Sequence, residues 1–185
     1  MLWAPGSEGA KSTTSTEAKG LASVTRARTS ISLTAPRVVF DNEGDRPLHE
    51  ARRDYLERTV SDLRRAQEFK TALDVGCGVG YFSSCLERLG LEVTALDGRA
   101  SNLEEARRRL PGMQFVESDL ETPPPSLPGG DLVLCFGLLY HLENPFRCIR
   151  NLSRLTAKTL LLESVISPAG HPSAWLVDEC DHEDQ

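Results

Sequence analysis

The sequence predicts an α/β protein built on a doubly wound, mainly parallel sheet. Short apolar runs alternate with stretches at helical spacing, the order expected of strands joined by crossover helices. The glycine-rich segment LDVGCGVGYFS, Leu73 to Ser83, begins within the first apolar run and continues beyond it. Acidic residues lie at the ends of the first three runs. In such sheets, ligands bind beyond the carboxyl ends of the strands, near the point where strand order reverses. Candidate functional residues are therefore sought directly after each strand.

The composition is that of a single globular domain. The chain has 185 residues, of which 39% are hydrophobic, and this suffices for a core. A formal net charge of -6 argues against nucleic acid or an anionic membrane as partner. No apolar run approaches the ~20 residues that span a bilayer, and the start lacks the order of a secretory signal, so the cytoplasm is expected.

The five cysteines indicate reduced thiols and no metal site. They are odd in number and have no C-x-x-C spacing, which argues against a disulfide framework and against a zinc knuckle. Residues 1–36 are rich in Ser, Thr, Ala and Gly and are expected to form a disordered arm. A targeting peptide is the alternative, although Glu8 and Glu17 count against it. Residues 37–185 would form the folded domain.

An amphipathic lead-in helix is predicted from Leu48 to Phe69, with Asp45 and Pro47 at its start. It packs on the sheet or covers a ligand pocket. Five strands are predicted after it, at Thr71–Val75, Leu91–Asp97, Met113–Asp119, Asp131–Gly137 and Thr159–Val165.

Three helices are predicted between these strands. The first begins at Tyr81 and is closed by Gly90. The second starts with a capping box of Ser101 and Glu104. The third is capped by Asn144, with one apolar face made of Phe146, Ile149, Leu152 and Leu155. The run ETPPPSLPGG, residues 121–130, is a loop because proline lacks the amide donor and glycine lacks a side chain.

Gly76, Gly78 and Gly80 occupy the first strand-to-helix turn. Without Cβ atoms, they let a ligand lie against the main chain, and the N–H groups of the following helix favour a negative group. The dinucleotide fingerprint G-x-G-x-x-G would place a small residue where this sequence has Tyr81. The spacing therefore disfavours a dinucleotide.

Asp97 and Asp119 close the second and third strands. Asp97 could accept both hydroxyls of a ribose, or it could be a turn or helix-capping aspartate. Asp119 could accept from an exocyclic amino group while Leu120 packs on the plane of a base, or it could be a turn residue.

The stretches LDVGCGVGYF, VTALDG, ESDLE and DLVLCFGLLYHL together resemble the class I, Rossmann-like methyltransferases that use S-adenosylmethionine. The resemblance covers Lys70 to Val165. It implies that Asp97 holds the ribose, that Gly98 lies by the adenine, and that Asp119 with Leu120 reads the adenine. The Phe136 backbone would approach the methionine amino group. The methionine moiety would be surrounded by Asp74, Gly76, Gly78 and Gly80.

Tyr140 and His141 follow the fourth strand, where an acceptor would meet the methyl group. Because the sulfonium is already activated, transfer mainly needs alignment of a nucleophile with the S–CH3 bond. His141 could act as general base, or it could be a packed or capping histidine.

The fold is expected to be incomplete after the fifth strand. A complete sheet of the resembled family continues with an antiparallel hairpin, for which the remaining tail is too short. An open apolar edge at the fifth strand would favour self-association or a partner chain. The leading hypothesis is methyl transfer to a small molecule. The alternative is a cofactor-binding but catalytically incomplete fragment or partner subunit, and a nicotinamide oxidoreductase is a third hypothesis that the glycine spacing disfavours.

Overall fold

The computed structural model describes residues 44–171 and residue 173. The predicted arm, residues 1–36, lies outside the described residues. The strands are β1 (Thr71–Val75), β2 (Glu92–Asp97), β3 (Gln114–Glu117), β4 (Gly130–Phe136) and β5 (Thr156–Glu163). The helices are α1 (Arg46–Leu63), α2 (Tyr81–Arg88), α3 (Ala100–Arg109) and α4 (Pro145–Leu155), with a 3-10 helix at Leu139–His141.

The five strands form one sheet in the order β3-β2-β1-β4-β5, and every pairing is parallel. The predicted doubly wound α/β fold is therefore confirmed. The strand order reverses between β1 and β4, because β2 lies on one side of β1 and β4 on the other. All carboxyl ends lie along one edge of the sheet, which we call the carboxyl rim. This edge is where such sheets bind ligands.

Residues of the sheet alternate between two apolar layers. Ala72, Val93 and Leu132 face a layer that also holds Leu56 and Val60 of α1. Leu73, Val133 and Cys135 face the opposite layer, together with residues of α4 and of the 121–130 loop. Leu103 of α3 packs on Ala95, which shares the face of Val93. Helices α1, α2 and α3 thus cover one face, and α4 with the loop covers the other. None of the described helices is long and apolar enough to cross a membrane.

The bounds of β1 match the prediction, whereas β3 and β5 differ from it. β3 ends at Glu117, because the carboxylate of Asp119 accepts from the Glu121 N–H and the Thr122 hydroxyl and turns the chain away. β5 begins at Thr156 and ends at Glu163. Its first residues are polar and so gave no apolar signal, yet Thr156 pairs with Gly130 across a register shift. At its other end, β5 stops at Glu163, two residues before the predicted end at Val165.

Helix α1 ends at Leu63 rather than Phe69, and turns follow it. Arg64 Nη1 donates to the Leu89 carbonyl at 2.7 Å, and Gln67 Nε2 donates to Thr159 Oγ1 at 2.8 Å. These long-range bonds hold the segment after α1 in a non-helical path towards β1.

The predicted capping box of α3 is wrong. The helix begins at Ala100, its N-cap residue is Arg99, and the N-cap makes no side-chain capping bond. Instead, Asp97 Oδ1 accepts from the Arg99 N–H at 2.8 Å and from Asn102 Nδ2 at 3.1 Å. The carboxylate at the end of β2 therefore fixes the start of α3, and Ser101 falls inside the helix.

The predicted cap of α4 is confirmed, but its predicted apolar face is only partly right. Asn144 Oδ1 accepts from the Arg147 N–H at 3.0 Å. The buried side chains are Cys148, Asn151 and Leu152, while Phe146 is 80% exposed and Ile149 39% exposed. Since a helix turns every 3.6 residues, the stripe through positions 148, 152 and 155 faces the sheet, and Phe146 and Ile149 lie beside it.

Candidate functional site

The glycine turn between β1 and α2 is folded back onto the end of β2. The N–H groups of Gly76 and Cys77 both donate to the Leu96 carbonyl, at 2.8 and 2.9 Å. Gly76, Gly78 and Gly80 have φ of 74, 54 and 89°, a region that disfavours residues with a Cβ. A Cβ on Gly76 would lie 2.9 Å from Leu138 Cδ2. The turn therefore requires glycine for its backbone and for the close approach of the segment after β4.

Asp97 is buried at the carboxyl end of β2 and links the glycine turn to α3. Its Oδ2 accepts from the Gly78 N–H at 2.9 Å, while Oδ1 binds the start of α3. Both the capping role that the sequence left open and the contact with the glycine turn are therefore present. A carboxylate has about four lone-pair sites, so three protein donors leave capacity for a further donor.

Asp74 lies beneath the turn, fully buried, and accepts from Ser83 Oγ of α2 at 2.5 Å. The pKa of Asp74 is raised to about 6: burial is the main cause, the Ser83 hydrogen bond opposes it, and the nearby charge of Asp97 adds to it. Burial also raises the pKa of the Cys77 thiol, so this thiol stays protonated. The cysteines that the structure describes are free, and no group of three metal-binding side chains occurs among the described residues.

Asp119 is exposed, and its carboxylate accepts within its own loop, from the Glu121 N–H at 2.8 Å and Thr122 Oγ1 at 3.0 Å. Leu120 is 3% exposed and packs in the apolar layer of α4. Gly98 is exposed, and a Cβ there would lie 3.8 Å from the Ser118 carbonyl. The β2 and β3 ends are thus adjacent, with Asp119 in the turn role that the sequence also allowed.

The end of β4 brings a second group of residues to the rim. Phe136 is buried and packs edge-on against Phe82 of α2, with ring centroids 5.4 Å apart. The Gly137 N–H donates to the Glu163 carbonyl at 3.4 Å, and Gly137 has φ of 71°. Tyr140 and His141 follow in the 3-10 helix; both are exposed, and their rings are 4.2 Å apart.

Sequence reasoning missed Arg52 and Glu163 at this rim. Arg52 Nη2 of α1 donates to Glu163 Oε1 at the end of β5, at 2.8 Å. A Cβ on Gly137 would lie 3.5 Å from the Tyr140 hydroxyl and 3.7 Å from Arg52 Nη1. Among the described residues, Arg52 Nε and Glu163 Oε2 are buried without a hydrogen-bond partner. A guanidinium, a carboxylate and a phenol therefore meet beside the main chain of Gly137.

One sequence signal could have indicated Arg52. In α1 it lies four residues before the buried Leu56 and eight before the buried Val60, on the helix face that turns towards the sheet. Glu163 is the acidic residue that ends β5, and acidic residues also end β2 and β3. The predicted strand continued to Val165, so Glu163 was not recognised as a residue at a strand end.

The comparisons with known proteins agree with this arrangement. Residues 73–159 match the family model described as a methyltransferase domain. Those residues include the glycine turn, Asp97 and the end of β4, which are the features that the structure brings to the rim. Residues 73–159 are therefore a methyltransferase domain, in agreement with the resemblance of the sequence to the class I methyltransferases.

Two curated methyltransferases illustrate the similarity. Trans-aconitate 2-methyltransferase from Rhizobium etli is 32% identical over 146 residues, which are 77% of this chain and 53% of that protein. Ubiquinone biosynthesis O-methyltransferase from Proteus mirabilis is 30% identical over 142 residues, 71% of this chain and 52% of that protein. The chain thus spans about half the length of these relatives.

A solved methyltransferase structure shares the fold. It is an amino pentose methyltransferase from Micromonospora echinaspora, involved in calicheamicin biosynthesis and solved with SAM bound. The TM-score is 0.56 and the sequence identity is 26%, over 63% of this chain and 52% of that one.

Proposed function

We propose that this chain binds S-adenosylmethionine at the carboxyl rim and supports transfer of its methyl group to a small-molecule acceptor. The observation that carries the proposal is the contact of Asp97 with the Gly78 amide, which places a buried carboxylate against a glycine turn stripped of side chains. Three protein donors already occupy this carboxylate, and its remaining lone-pair site can accept from a ribose hydroxyl while the remainder of the adenosine lies along the rim. The names of the relatives and the bound SAM of the solved neighbour support the same cofactor.

The residues present fit the cofactor in charge and shape. The ribose would lie at Asp97, with Gly98, Asp119 and Leu120 on the adenine side. The methionine end would lie between Gly76, Gly78, Gly80 and Phe136, above Asp74. Arg52, beside Gly137, supplies a positive charge next to this end, suited to the methionine carboxylate.

S-adenosylmethionine supplies a methyl group on an activated sulfonium, so the protein mainly has to align the acceptor and exclude water. Tyr140 and His141 are exposed on the 3-10 helix next to Gly137, at the side from which an acceptor would enter. His141 would take the proton that an O–H or N–H acceptor loses, or it would position the acceptor by contact.

Calorimetry tests the cofactor assignment. S-adenosylmethionine and S-adenosylhomocysteine are expected to bind, and NAD is expected not to bind. Preferred binding of NAD would contradict the proposal and support the oxidoreductase hypothesis.

A methyl-transfer screen separates the enzyme from the alternative, an incomplete fragment or partner subunit. The panel would include tricarboxylic acids and ubiquinone precursors, since the relatives' names point to such molecules. Turnover by a monomer supports the complete enzyme, whereas cofactor binding without turnover of any acceptor supports the alternative.

A further inference from the structure

A cleft of about 620 Å³ lies between α4 and the proline-rich loop, apart from the residues assigned to the cofactor. Its loop wall is formed by Glu121, Thr122, Leu127, Gly129 and the three consecutive prolines at 123–125. Its helix wall is formed by Arg147, Arg150, Asn151, Arg154 and Leu155. The cleft belongs to the face of the sheet opposite α1, α2 and α3.

The loop is tied to α4 at both ends, which keeps the cleft open. Asn151 is buried, and its Nδ2 donates to the Leu120 carbonyl at 2.8 Å and to the Glu121 carbonyl at 3.2 Å. At the other end, a Cβ on Gly129 would lie 2.4 Å from the Leu155 carbonyl oxygen, so only glycine allows this approach. Between the two ties, the prolines fix φ and offer no N–H for bonding to the helix. The loop is therefore fixed to α4 at its two ends, and the cleft lies between these two contacts.

Three arginines of α4 line this cleft from one side. Arg147, Arg150 and Arg154 are spaced i, i+3 and i+7, so they lie along one face of the helix over about 10 Å. All three are exposed, and none forms an ion pair with a carboxylate of the described residues. By contrast, Arg53 of α1 and Arg109 of α3 each pair with a carboxylate of the same helix.

The one carboxylate that lines the cleft is already engaged. Glu121 Oε1 accepts from the Asn144 N–H at 2.9 Å, at the end of the cleft nearest the carboxyl rim. This bond leaves the charge of Glu121 in place, so one carboxylate faces three guanidinium groups, and the described lining of the cleft carries an excess of positive charge although the chain as a whole has a formal net charge of -6. Like charges along one helix face repel each other, and an anion between them removes the repulsion.

We propose that this cleft binds a small polyanion that carries at least two phosphate groups. Arginine forks match phosphate oxygens in bidentate hydrogen bonds, and a row about 10 Å long suits a chain of phosphates better than a single one. The volume of about 620 Å³ accommodates a diphosphate with an attached organic group. This site is independent of the proposed cofactor site, so either assignment can fail without the other.

Calorimetry with pyrophosphate, ADP and orthophosphate tests the proposal on the whole chain. Pyrophosphate and ADP are expected to bind, orthophosphate to bind at least tenfold more weakly, and affinity to fall as salt is raised. The triple variant Arg147→Gln, Arg150→Gln, Arg154→Gln is expected to weaken pyrophosphate binding by at least tenfold, while binding of S-adenosylhomocysteine stays unchanged.

Arg65→Gln is the matched control, because Arg65 is an exposed arginine of another segment, 3.5 Å from Asp62. It is expected to bind pyrophosphate like the wild type. Equal binding of pyrophosphate by the triple variant and the wild type would overturn the proposal. Binding of an Asp- and Glu-rich peptide with no binding of pyrophosphate would also overturn it, and would instead indicate an acidic protein partner.

Discussion

At the scale of single residues, Asp97 combines a structural and a proposed binding role. Its carboxylate holds the Gly78 amide and the first turn of α3, and the same group is assigned to the ribose. The structural bonds use the charge of the carboxylate, so the two roles have to be separated by experiment.

Asp97→Ala is expected to weaken S-adenosylhomocysteine binding by more than tenfold, since charge-assisted hydrogen bonds contribute about 1.5–3 kcal/mol. Calorimetry measures this effect, and thermal unfolding shows whether the variant is folded. Asn102→Ala is the matched control: it removes one donor to Asp97 but keeps the carboxylate, so a small effect is expected. An unchanged dissociation constant for a folded Asp97→Ala protein would show that the ribose is held elsewhere.

The burial of Asp74 is expected to make the stability of the folded protein depend on pH. Its folded-state pKa of about 6 is above the ordinary 3.8, because burial penalises the charged form. Between these values the folded protein binds more protons than the unfolded chain, so the free energy of unfolding falls as the pH rises. The contribution is fully present below about pH 3.8 and lost above about pH 6.

Asp74→Asn removes this dependence. From pH 4 to pH 7, wild-type stability relative to Asp74→Asn is expected to decrease by on the order of 3 kcal/mol, measured by urea unfolding. Ser83→Ala removes the hydrogen bond that favours the charged form, and is expected to extend the loss to higher pH. Parallel pH profiles of the wild type and Asp74→Asn would contradict the burial argument.

His141 is the residue whose chemical role the structure leaves as a prediction. If it accepts a proton, His141→Gln lowers kcat by on the order of 100-fold or more. If it only positions the acceptor, KM rises and kcat changes little. Tyr140→Phe is the companion variant, because it keeps the ring whose centroid lies 4.2 Å from that of His141 and removes only the hydroxyl.

At the scale of elements, the glycine turn offers a matched comparison. Gly80 and Gly90 have similar φ of 89 and 81°, at the start and beyond the end of α2. A Cβ on Gly80 would lie 2.8 Å from Leu110 Cδ1, whereas a Cβ on Gly90 would meet nothing within 4 Å. The two positions therefore separate backbone strain from packing.

Gly90→Ala is expected to destabilise the protein by about 1 kcal/mol, the cost of a left-handed backbone for a residue with a Cβ. Gly80→Ala is expected to cost more, because Leu110 must also move. The double variant Gly80→Ala, Leu110→Ala should recover the excess in a double-mutant cycle of unfolding free energies. Equal losses for the two single variants would show that contact with Leu110 has no energetic effect.

The elements also show how far sequence alone can go. Glycine and proline residues at the turns, together with apolar periodicity, predicted the positions of all five strands along the chain, because these signals are local. The ends of β3 and β5 were set instead by pairing with neighbouring strands and by the turn bonds of Asp119. The face of α4 was misjudged at Phe146 and Ile149, because a buried polar residue, Asn151, lies in the stripe that faces the sheet.

Local sequence signals likewise predicted only part of the candidate site. Asp97 follows from the fold class, because it closes a strand, whereas Phe136 came from the resemblance to the class I methyltransferases. Arg52 and Glu163 were not predicted, since their contact joins positions 111 residues apart in sequence. No local pattern reports such a pairing.

At the scale of the whole molecule, self-association is expected at β5, because this strand forms one edge of the described sheet. Within the described part of the chain it pairs only with β4. Leu162 is 40% exposed, and Val165 and Ile166, just beyond the strand, are 68% and 85% exposed. An apolar strand edge of this kind is a template for pairing with another chain.

Sedimentation velocity is expected to show concentration-dependent association of this 185-residue chain. Leu162→Lys should shift it towards monomer, because a charge at an edge strand opposes pairing. Phe146→Lys is the control, since Phe146 is 80% exposed on α4 and is not part of the edge strand. A wild-type monomer at all concentrations would contradict the prediction.

The ion pair between Arg52 and Glu163 also bears on how the chain folds during synthesis. Arg52 is synthesised 111 residues before its partner Glu163, and Gln67 is synthesised 92 residues before Thr159. Helix α1 can form early from local bonds, but it cannot dock fully until β5 has emerged, and contacts of such long sequence separation slow folding. The apolar face of α1 that holds Leu56 and Val60 can be covered by β1, α2 and β4 as they emerge, whereas the polar contacts of the same helix region with β5 form last.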